Sequence, residues 1–115
     1  MSEQTIQDLF RAVDARDWEA MQPFFCEDVV YERPGYDPIV GIEDLLHFYK
    51  HVRIIASGTH QLEQIVVEGD HGSCWGRFVG VNKEGAALDE RFADVYVFSD
   101  GKIKQRRSYF FRPAV

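Results

Sequence analysis

Apolar residues recur at helical spacing through the first half of the chain. A first helix is predicted over residues 5–15, with its apolar face formed by Ile6, Leu9, Phe10 and Val13. A short second helix follows, with Asp17 as its cap and Pro23 limiting its regularity. A strand is predicted over residues 29–33. A third helix carries one apolar face, made of Ile42, Leu45, Leu46, Tyr49 and Val52.

Strand-like alternation dominates the second half. Four strands are predicted, over residues 60–67, 73–81, 88–98 and 103–112, and turn-forming residues separate them. Successive strands should therefore pair antiparallel, and helices followed by such a sheet make an α+β fold. Gly72, Gly76 and Gly80 lie on one face of the strand predicted over residues 73–81, which favours a bend or a close backbone approach there.

Asp94 is the most unusual residue of this pattern, because it lies in an apolar strand predicted to be covered on both faces. A buried carboxylate needs a partner or a function. A two-residue turn at residues 100–101 would place Asp94 opposite Arg107, whereas a three-residue turn would make Arg106 or Ser108 its neighbour. An arginine neighbour favours a structural salt bridge, and Ser108 among aromatic residues favours a proton-donating acid.

Length and charge limit the classes of function. The chain has 115 residues, interpreted as one domain over 1–115, and a formal net charge of −6. This charge argues against nucleic acid or an anionic membrane surface as a partner and favours a small neutral or apolar ligand. No apolar run approaches the roughly 20 residues of a membrane span, so a cytoplasmic protein is expected. Cys26 and Cys74 are expected to be free thiols.

Four segments together resemble a known family. They are DARDWEAMQPFFCEDVVYERPG, VGIEDLLHFYKHV, VVEGDHGSCWGRF and ADVYVFSDGKIKQRRSYFF. The chain is similar to the SnoaL-like, ketosteroid-isomerase-like proteins of the nuclear transport factor 2-like superfamily. The resemblance implies a cone-like curved antiparallel sheet wrapped on about three N-terminal helices, a cystatin-like α+β barrel. It also implies a deep apolar pocket, a homodimer formed through the outer sheet face, and no cofactor.

The resemblance also assigns candidate roles to individual residues. Asp94 matches an acid that stabilises an oxyanion in the isomerases and is a proposed acid/base in the cyclases, and Tyr49 matches a tyrosine that supports it. Arg33 and Leu9 stand where the isomerases have their base and their oxyanion-hole tyrosine. Epoxide hydrolases of the superfamily pair an arginine with two aspartates. Arg91 and Asp94 fit that set, but Ser108 replaces the second carboxylate.

Other residues are candidates for chemistry or binding. His60 is a candidate base, with a solvated histidine at a strand end as the structural alternative. Arg33 could neutralise a pocket acid, bind a carboxylate or enolate, or face water. The substrate-binding set also includes Tyr31, Phe92, Tyr96, Trp75, Ser108 and Phe110. Trp75 fits either the pocket or the outer face of a dimer.

Two further groups of residues receive a structural interpretation. His47 and His51 lie one helical turn apart but lack a third ligand, so no metal site is expected. The basic residues of the last strand are interpreted as a solvated face, and they are Lys102, Lys104, Arg106, Arg107 and Arg112.

The function expected from these observations is an enzyme that needs no cofactor and performs acid/base chemistry on a small apolar or polyketide-like metabolite. Isomerisation, cyclisation and epoxide hydrolysis are the reaction types considered, with Asp94, Tyr49 and His60 as catalytic residues. The alternative is a non-catalytic domain of the same fold that binds a small ligand or dimerises.

Overall fold

The fold is a curved, unclosed sheet of six strands with three helices, in a computed structural model that describes residues 2–112. The helices are α1 (Ser2–Asp14), α2 (Trp18–Met21) and α3 (Ile42–His47). The strands are β1 (Phe25–Glu32), β2 (Ile39–Val40), β3 (Ile55–Glu68), β4 (His71–Asn82), β5 (Ala87–Ser99) and β6 (Lys102–Phe110). The predicted α+β class is confirmed.

The strands follow the order β2-β1-β6-β5-β4-β3. The pairs β3–β4, β4–β5 and β5–β6 are antiparallel, as predicted, whereas β1 lies parallel to β6, so the sheet is mixed. The close backbone approach predicted from the glycine spacing is present where β4 pairs with β3. A Cβ at Gly76 would collide with the carbonyl oxygen of Gln61, and one at Gly80 with that of Ser57. These close backbone approaches exclude any larger residue at the two positions.

Helix α1 covers the inner face of this bent sheet. Its predicted apolar face is fully buried, with Ile6, Leu9, Phe10 and Val13 all in the core. Helix α2 is short, as expected, because Asp17 caps it and a 3₁₀ turn containing Pro23 follows at once. Within residues 2–112, no helix combines the length and apolar character needed to cross a membrane.

Helix α3 differs from its prediction. Regular α-helix stops at His47 and gives way to a π-helical turn over residues 48–52, closed by the bond from the Arg53 N–H to the Phe48 carbonyl at 2.9 Å. Because a π turn holds more residues than an α turn, the inward face shifts. Val52, predicted to be buried, is 42% exposed, while Phe48 is buried instead. Tyr49 and Arg53 both end inside the molecule.

The β5–β6 hairpin combines features of both predicted registers. Asp100 and Gly101 form a two-residue turn with positive φ angles, and Ser99 pairs with Lys102. The register then shifts by one residue near Lys104, which places Asp94 opposite Ser108. This bulge also changes which side chains of β6 face inward. Arg106 is therefore buried, and its interpretation as part of a solvated face was wrong.

Candidate functional site

Asp94 lies at the centre of a closed polar cluster. Its side chain is 1% exposed, and its Oδ2 accepts hydrogen bonds from Arg106 Nη2 at 2.8 Å and Nε at 3.1 Å. The Tyr96 hydroxyl donates to the same oxygen at 3.0 Å. Arg106 Nη1 donates to the Tyr49 hydroxyl at 2.7 Å, so Tyr49 connects to Asp94 through the guanidinium. We call these four residues the Asp94 cluster.

The two predicted environments of Asp94 occur together. Its backbone lies opposite Ser108, but its side chain binds Arg106, two residues away on the same face of β6. Ser108 instead shares a 2.7 Å hydrogen bond with the Tyr31 hydroxyl. Oδ1 of Asp94 has no hydrogen-bond partner within residues 2–112. Asp94 therefore forms a buried ion pair, and the acid role assigned to it stays a prediction.

His60 lies inside β3, not at its start, and its ring is 12% exposed. Its Nδ1 is 2.5 Å from Asp14 Oδ1, and its backbone N–H donates to Asp14 Oδ2 at 2.8 Å. The rings of Phe10 and Phe78 have centroids within 4.7 Å of the imidazole. The alternative of a solvated histidine is therefore excluded, and Asp14 fixes the orientation of the ring.

The surroundings of His60 favour its neutral form. Burial lowers the pKa of His60, and the hydrogen bond that its ring donates to the Asp14 carboxylate opposes this shift only in part. An imidazole whose Nδ1 proton is directed at a carboxylate presents Nε2 as an acceptor. His60 therefore has the protonation state that a general base requires near pH 7.

The imidazole borders a small internal cavity. The cavity is lined by Val13, Arg33, Tyr49, Arg53, Ile55, His60, Phe78, Arg106 and Phe110. Its volume is about 20 Å³. A space of this size holds about one water molecule. The cavity is thus smaller than the deep pocket that the resemblance implies.

The lining is more cationic than the sequence predicted. Arg33, Arg53 and Arg106 are all buried. Arg33 donates to the Tyr31 hydroxyl at 2.7 Å. Arg53 lies over the Tyr49 ring at 5.3 Å, and its guanidinium has no hydrogen-bond or ion-pair partner in the described part of the chain. Burial lowers the pKa of Arg53, and the charge of Arg33 lowers it further. A guanidinium stays charged at neutral pH despite such a shift.

The other predicted binding residues divide between the two faces of the sheet. Tyr31, Phe92, Tyr96 and Ser108 are buried on the inner side, and Phe110 borders the cavity. Trp75 lies on the outer face, 39% exposed, and does not line the cavity.

The positions of Arg91 and Cys74 exclude both residues from the candidate site. Arg91 is exposed, with its guanidinium 3.9 Å from the centre of the Phe111 ring, so it does not join Asp94 in an epoxide hydrolase set. Cys74 is buried, and burial raises its thiol pKa to about 12, which excludes a thiolate nucleophile there.

Sequence interpretation missed Asp14 and Arg53. Asp14 is the last residue of α1, where a carboxylate opposes the helix dipole, and this unfavourable position was the available signal. Arg53 is flanked by Val52, Ile54 and Ile55, and a lone cation in such an apolar segment was also a signal.

The two histidines of α3 and its π turn do not extend this site. The rings of His47 and His51 are 5.1 Å apart, and both residues are exposed. No group of three or more His, Cys, Asp or Glu side chains suited to a metal ion occurs between residues 2 and 112.

Comparison with solved structures shows the same fold in known proteins. Three of these structures illustrate the match. An NTF2-like protein of unknown function from Burkholderia pseudomallei has a TM-score of 0.87 at 19% identity, over 95% of this chain and 89% of that one. A proposed SnoaL-like polyketide cyclase from Jannaschia has a TM-score of 0.83 at 18% identity, over 96% and 85%. A protein with a ketosteroid isomerase-like fold from Catenulispora acidiphila has a TM-score of 0.82 at 15% identity, over 91% and 83%.

The sequence itself carries the same assignment. No curated protein matches the chain. The model of the SnoaL-like domain family matches residues 6–106, which cover α1 through most of β6. This match extends over most of the chain and agrees with the resemblance found in the four sequence segments. The chain belongs to the SnoaL-like domain family.

Proposed function

We propose that this protein is an acid/base enzyme of the isomerase or cyclase type, with His60 as its general base. The observation that carries the proposal is a neutral, aromatic-enclosed imidazole, held by Asp14 and bordering a cavity that also contains guanidinium groups. A base beside groups that stabilise negative oxygen is what proton abstraction next to a carbonyl requires. The family supports this class of reaction but does not choose the substrate.

The proposed reaction begins when Nε2 of His60 takes a proton from the carbon beside a substrate carbonyl. The C–H electron pair moves to the carbonyl oxygen, giving an enolate, and the imidazolium is stabilised by the Asp14 carboxylate. A buried arginine of the lining stabilises the enolate oxygen. In a substrate with a C=C bond β,γ to the carbonyl, the product is a dienolate, and return of the proton from the imidazolium to its γ-carbon completes an isomerisation. In a substrate with a second carbonyl, attack of the enolate carbon on that carbonyl forms the new C–C bond, and the resulting alkoxide takes the proton from the imidazolium to complete a cyclisation.

The Asp94 cluster has a supporting role in this proposal. Asp94 fixes the Arg106 guanidinium with two hydrogen bonds, and Arg106 in turn holds the Tyr49 hydroxyl beside the cavity. Burial and the charge of Asp94 raise the pKa of Tyr96 well above its ordinary value, so Tyr96 remains a donor to Asp94. The cluster thus positions Arg106 and Tyr49, while the proton transfer belongs to His60.

Hydrogen–deuterium exchange at the acidic carbon of 2-tetralone in D₂O, followed by NMR, tests this assignment without knowledge of the natural substrate. His60→Gln should reduce the enzyme-catalysed exchange rate by about 10²–10⁴-fold. Asp14→Asn should give a smaller loss, because the ring keeps a hydrogen bond but loses charge stabilisation. His47→Gln, at an exposed histidine, is the matched control and should keep the rate.

The same exchange experiment tests Asp94 as the competing catalytic residue. Exchange that persists in His60→Gln but disappears in a folded Asp94→Asn variant would return the catalytic role to Asp94. Circular dichroism of each variant checks that the fold is intact.

A second candidate function is a non-catalytic ligand-binding or dimerisation domain of the same fold. Two observations favour it: the cavity volume of about 20 Å³ and the complete engagement of Asp94 Oδ2 by Arg106 and Tyr96. For this candidate, 2-tetralone exchange would be the same with the wild type, with His60→Gln and with no protein.

A homodimer formed through the outer sheet face is also proposed, as the family resemblance implies. The outer surface was predicted to be covered, yet Val66, Trp75, Val79, Val95 and Tyr109 are all 39% to 49% exposed in the single chain. These residues lie on four neighbouring strands, and a second copy of the chain would bury them together.

Sedimentation velocity tests the dimer. The wild type should sediment at twice the chain mass, and Trp75→Lys should shift it to the monomer because a lysine would be buried without a partner. Val52→Lys, on the helical side with similar exposure, is the control and should leave the mass unchanged. A wild type that is monomeric at all concentrations rules out this interface.

A further inference from the structure

We infer that the cavity binds an organic carboxylate, with the Arg53 guanidinium as its anchor. This inference names the substrate class of the site described under the proposed function and rests on that site. It proposes that the ligand contains one permanent negative charge beside its reactive carbonyl. Neither the fold nor the family supplies this charge requirement.

Arg53 is a buried cation without an anionic partner in the described part of the chain. Its side chain borders the cavity, the residue is 4% exposed, and no acceptor in residues 2–112 binds its guanidinium. Three arginines elsewhere are paired: Arg77 with Asp89, Arg107 with Glu32, and Arg112 with Glu90. A buried charge without a partner is strongly destabilising, so its retention at a cavity surface is explained by a ligand that supplies the partner.

The shape and polarity of the cavity lining suit an organic carboxylate. Guanidinium and carboxylate groups are both planar and can form two parallel hydrogen bonds. The remaining walls are apolar or aromatic, from Val13, Ile55, Phe78 and Phe110. They suit the hydrocarbon part of an organic acid and offer little to a hydrated inorganic anion. The cavity must widen to admit such a molecule, since its present volume is about 20 Å³.

Three buried arginines surround the cavity of a chain that is acidic as a whole. The whole chain has a formal net charge of −6, although three of its arginines are buried around the cavity. The surface therefore repels anions at long range, and selectivity for a carboxylate must come from the cavity itself. Non-specific anion binding at the surface is correspondingly disfavoured, so anion binding to this protein would report on the cavity.

Isothermal titration calorimetry in a low-chloride buffer tests the inference with benzoate and its uncharged analogue benzamide. Formate and acetate, which need less widening of the cavity, extend the series. The wild type should bind benzoate at least about tenfold more tightly than benzamide, because the hydrogen bonds to a charged acceptor are lost in the amide. Arg53→Gln should remove this preference, and Arg11→Gln, at an exposed paired arginine of α1, should keep it.

A second measurement does not depend on the ligand's size. Without any ligand, Arg53→Met should melt at a temperature at least about 2 °C higher than the wild type, because an unpaired buried cation is replaced by a flexible apolar side chain. Added benzoate should raise the melting temperature of the wild type but not of Arg53→Met. Equal binding of benzoate and benzamide, together with an unchanged or lower melting temperature in Arg53→Met, would overturn the inference.

The variant His60→Gln separates this inference from the proposed function. Benzoate should bind His60→Gln as it binds the wild type, since the anchor is intact. Benzoate binding that depends on Arg53, with 2-tetralone exchange that does not depend on His60, would support the inference and reject the proposed enzyme. Exchange that depends on His60, with no preference for benzoate, would do the reverse.

Discussion

Two carboxylates of this protein, one buried and one partly exposed, lie in opposite situations. Asp94 is enclosed in the Asp94 cluster, where Arg106 and Tyr96 satisfy one of its oxygens and the side chain does not border the cavity. Asp14 uses both oxygens to hold one residue, His60, whose other ring nitrogen remains for a ligand. The first carboxylate is partnered by a permanent cation, and the second by a group that can gain or lose a proton.

The difference indicates where chemistry can occur in this fold. A carboxylate bound to arginine has its charge balanced at every pH where arginine is protonated, so the pair is suited to support. A carboxylate bound to imidazole changes the proton affinity of that ring and is suited to proton transfer. A residue that is unusual in sequence, such as Asp94, is therefore not necessarily the reactive one.

The largest effect should come from removing one member of the Asp94–Arg106 pair. Asp94→Ala leaves the Arg106 guanidinium buried without its counter-ion, and we expect a loss of about 3–5 kcal/mol in the free energy of unfolding. Urea denaturation followed by circular dichroism measures it. The double variant Asp94→Leu/Arg106→Met removes both charges and should recover most of this loss.

The matched control uses an exposed pair on the same sheet. Asp89→Ala removes a carboxylate bound to Arg77, where both side chains are more than half exposed, and stability should change little. If Asp94→Ala proves as stable as Asp89→Ala, Asp94 is not part of a stabilising ion pair. Its environment would then resemble that of Asp14, and the comparison between the two carboxylates would fail.

Periodicity predicted most of the fold because each helix or strand buries one regular face. The inward face of β5, with Phe92, Asp94, Tyr96 and Phe98, is buried as the alternation requires. Local irregularities escaped prediction. The register shift near Lys104 decides that Arg106 faces inward, and the π turn of residues 48–52 decides that Arg53 does. Each of these two irregularities adds one residue to a regular backbone repeat. Tertiary packing, and not the local sequence, determines where such an insertion occurs.

The candidate site was predicted only in part for the same reason. His60 was identified by its residue type, but its partner Asp14 lies 46 residues earlier, at the end of a helix that packs across β3. Contacts of this kind leave no spacing signal in a single sequence. The family resemblance identified Asp94 and Tyr49, and both belong to a buried hydrogen-bond network. It did not indicate that Arg106 is the residue that connects them.

The smallest effect that we predict is a pH dependence of stability that belongs to His60. Burial lowers its pKa in the folded chain below the ordinary value of about 6.5, which the unfolded chain retains. Below pH 6.5 the unfolded chain therefore binds a proton that the folded chain does not. Stability should fall as the pH drops from about 7 towards the lowered pKa, by at most about 1.4 kcal/mol per pH unit. Above pH 7 the contribution is constant.

Urea denaturation of the wild type and of His60→Gln at a series of pH values measures the contribution of His60 to the free energy of unfolding. The difference in the free energy of unfolding should favour the wild type less as the pH falls from 7, because glutamine does not titrate. Asp14→Asn should steepen the loss, since Asp14 is the group that raises the pKa of His60 against burial. If the free energies of unfolding of the wild type and His60→Gln change with pH in parallel, the imidazole is solvated in the folded chain. Asp14 would then not be paired with a buried titrating group, and its contrast with Asp94 would be lost.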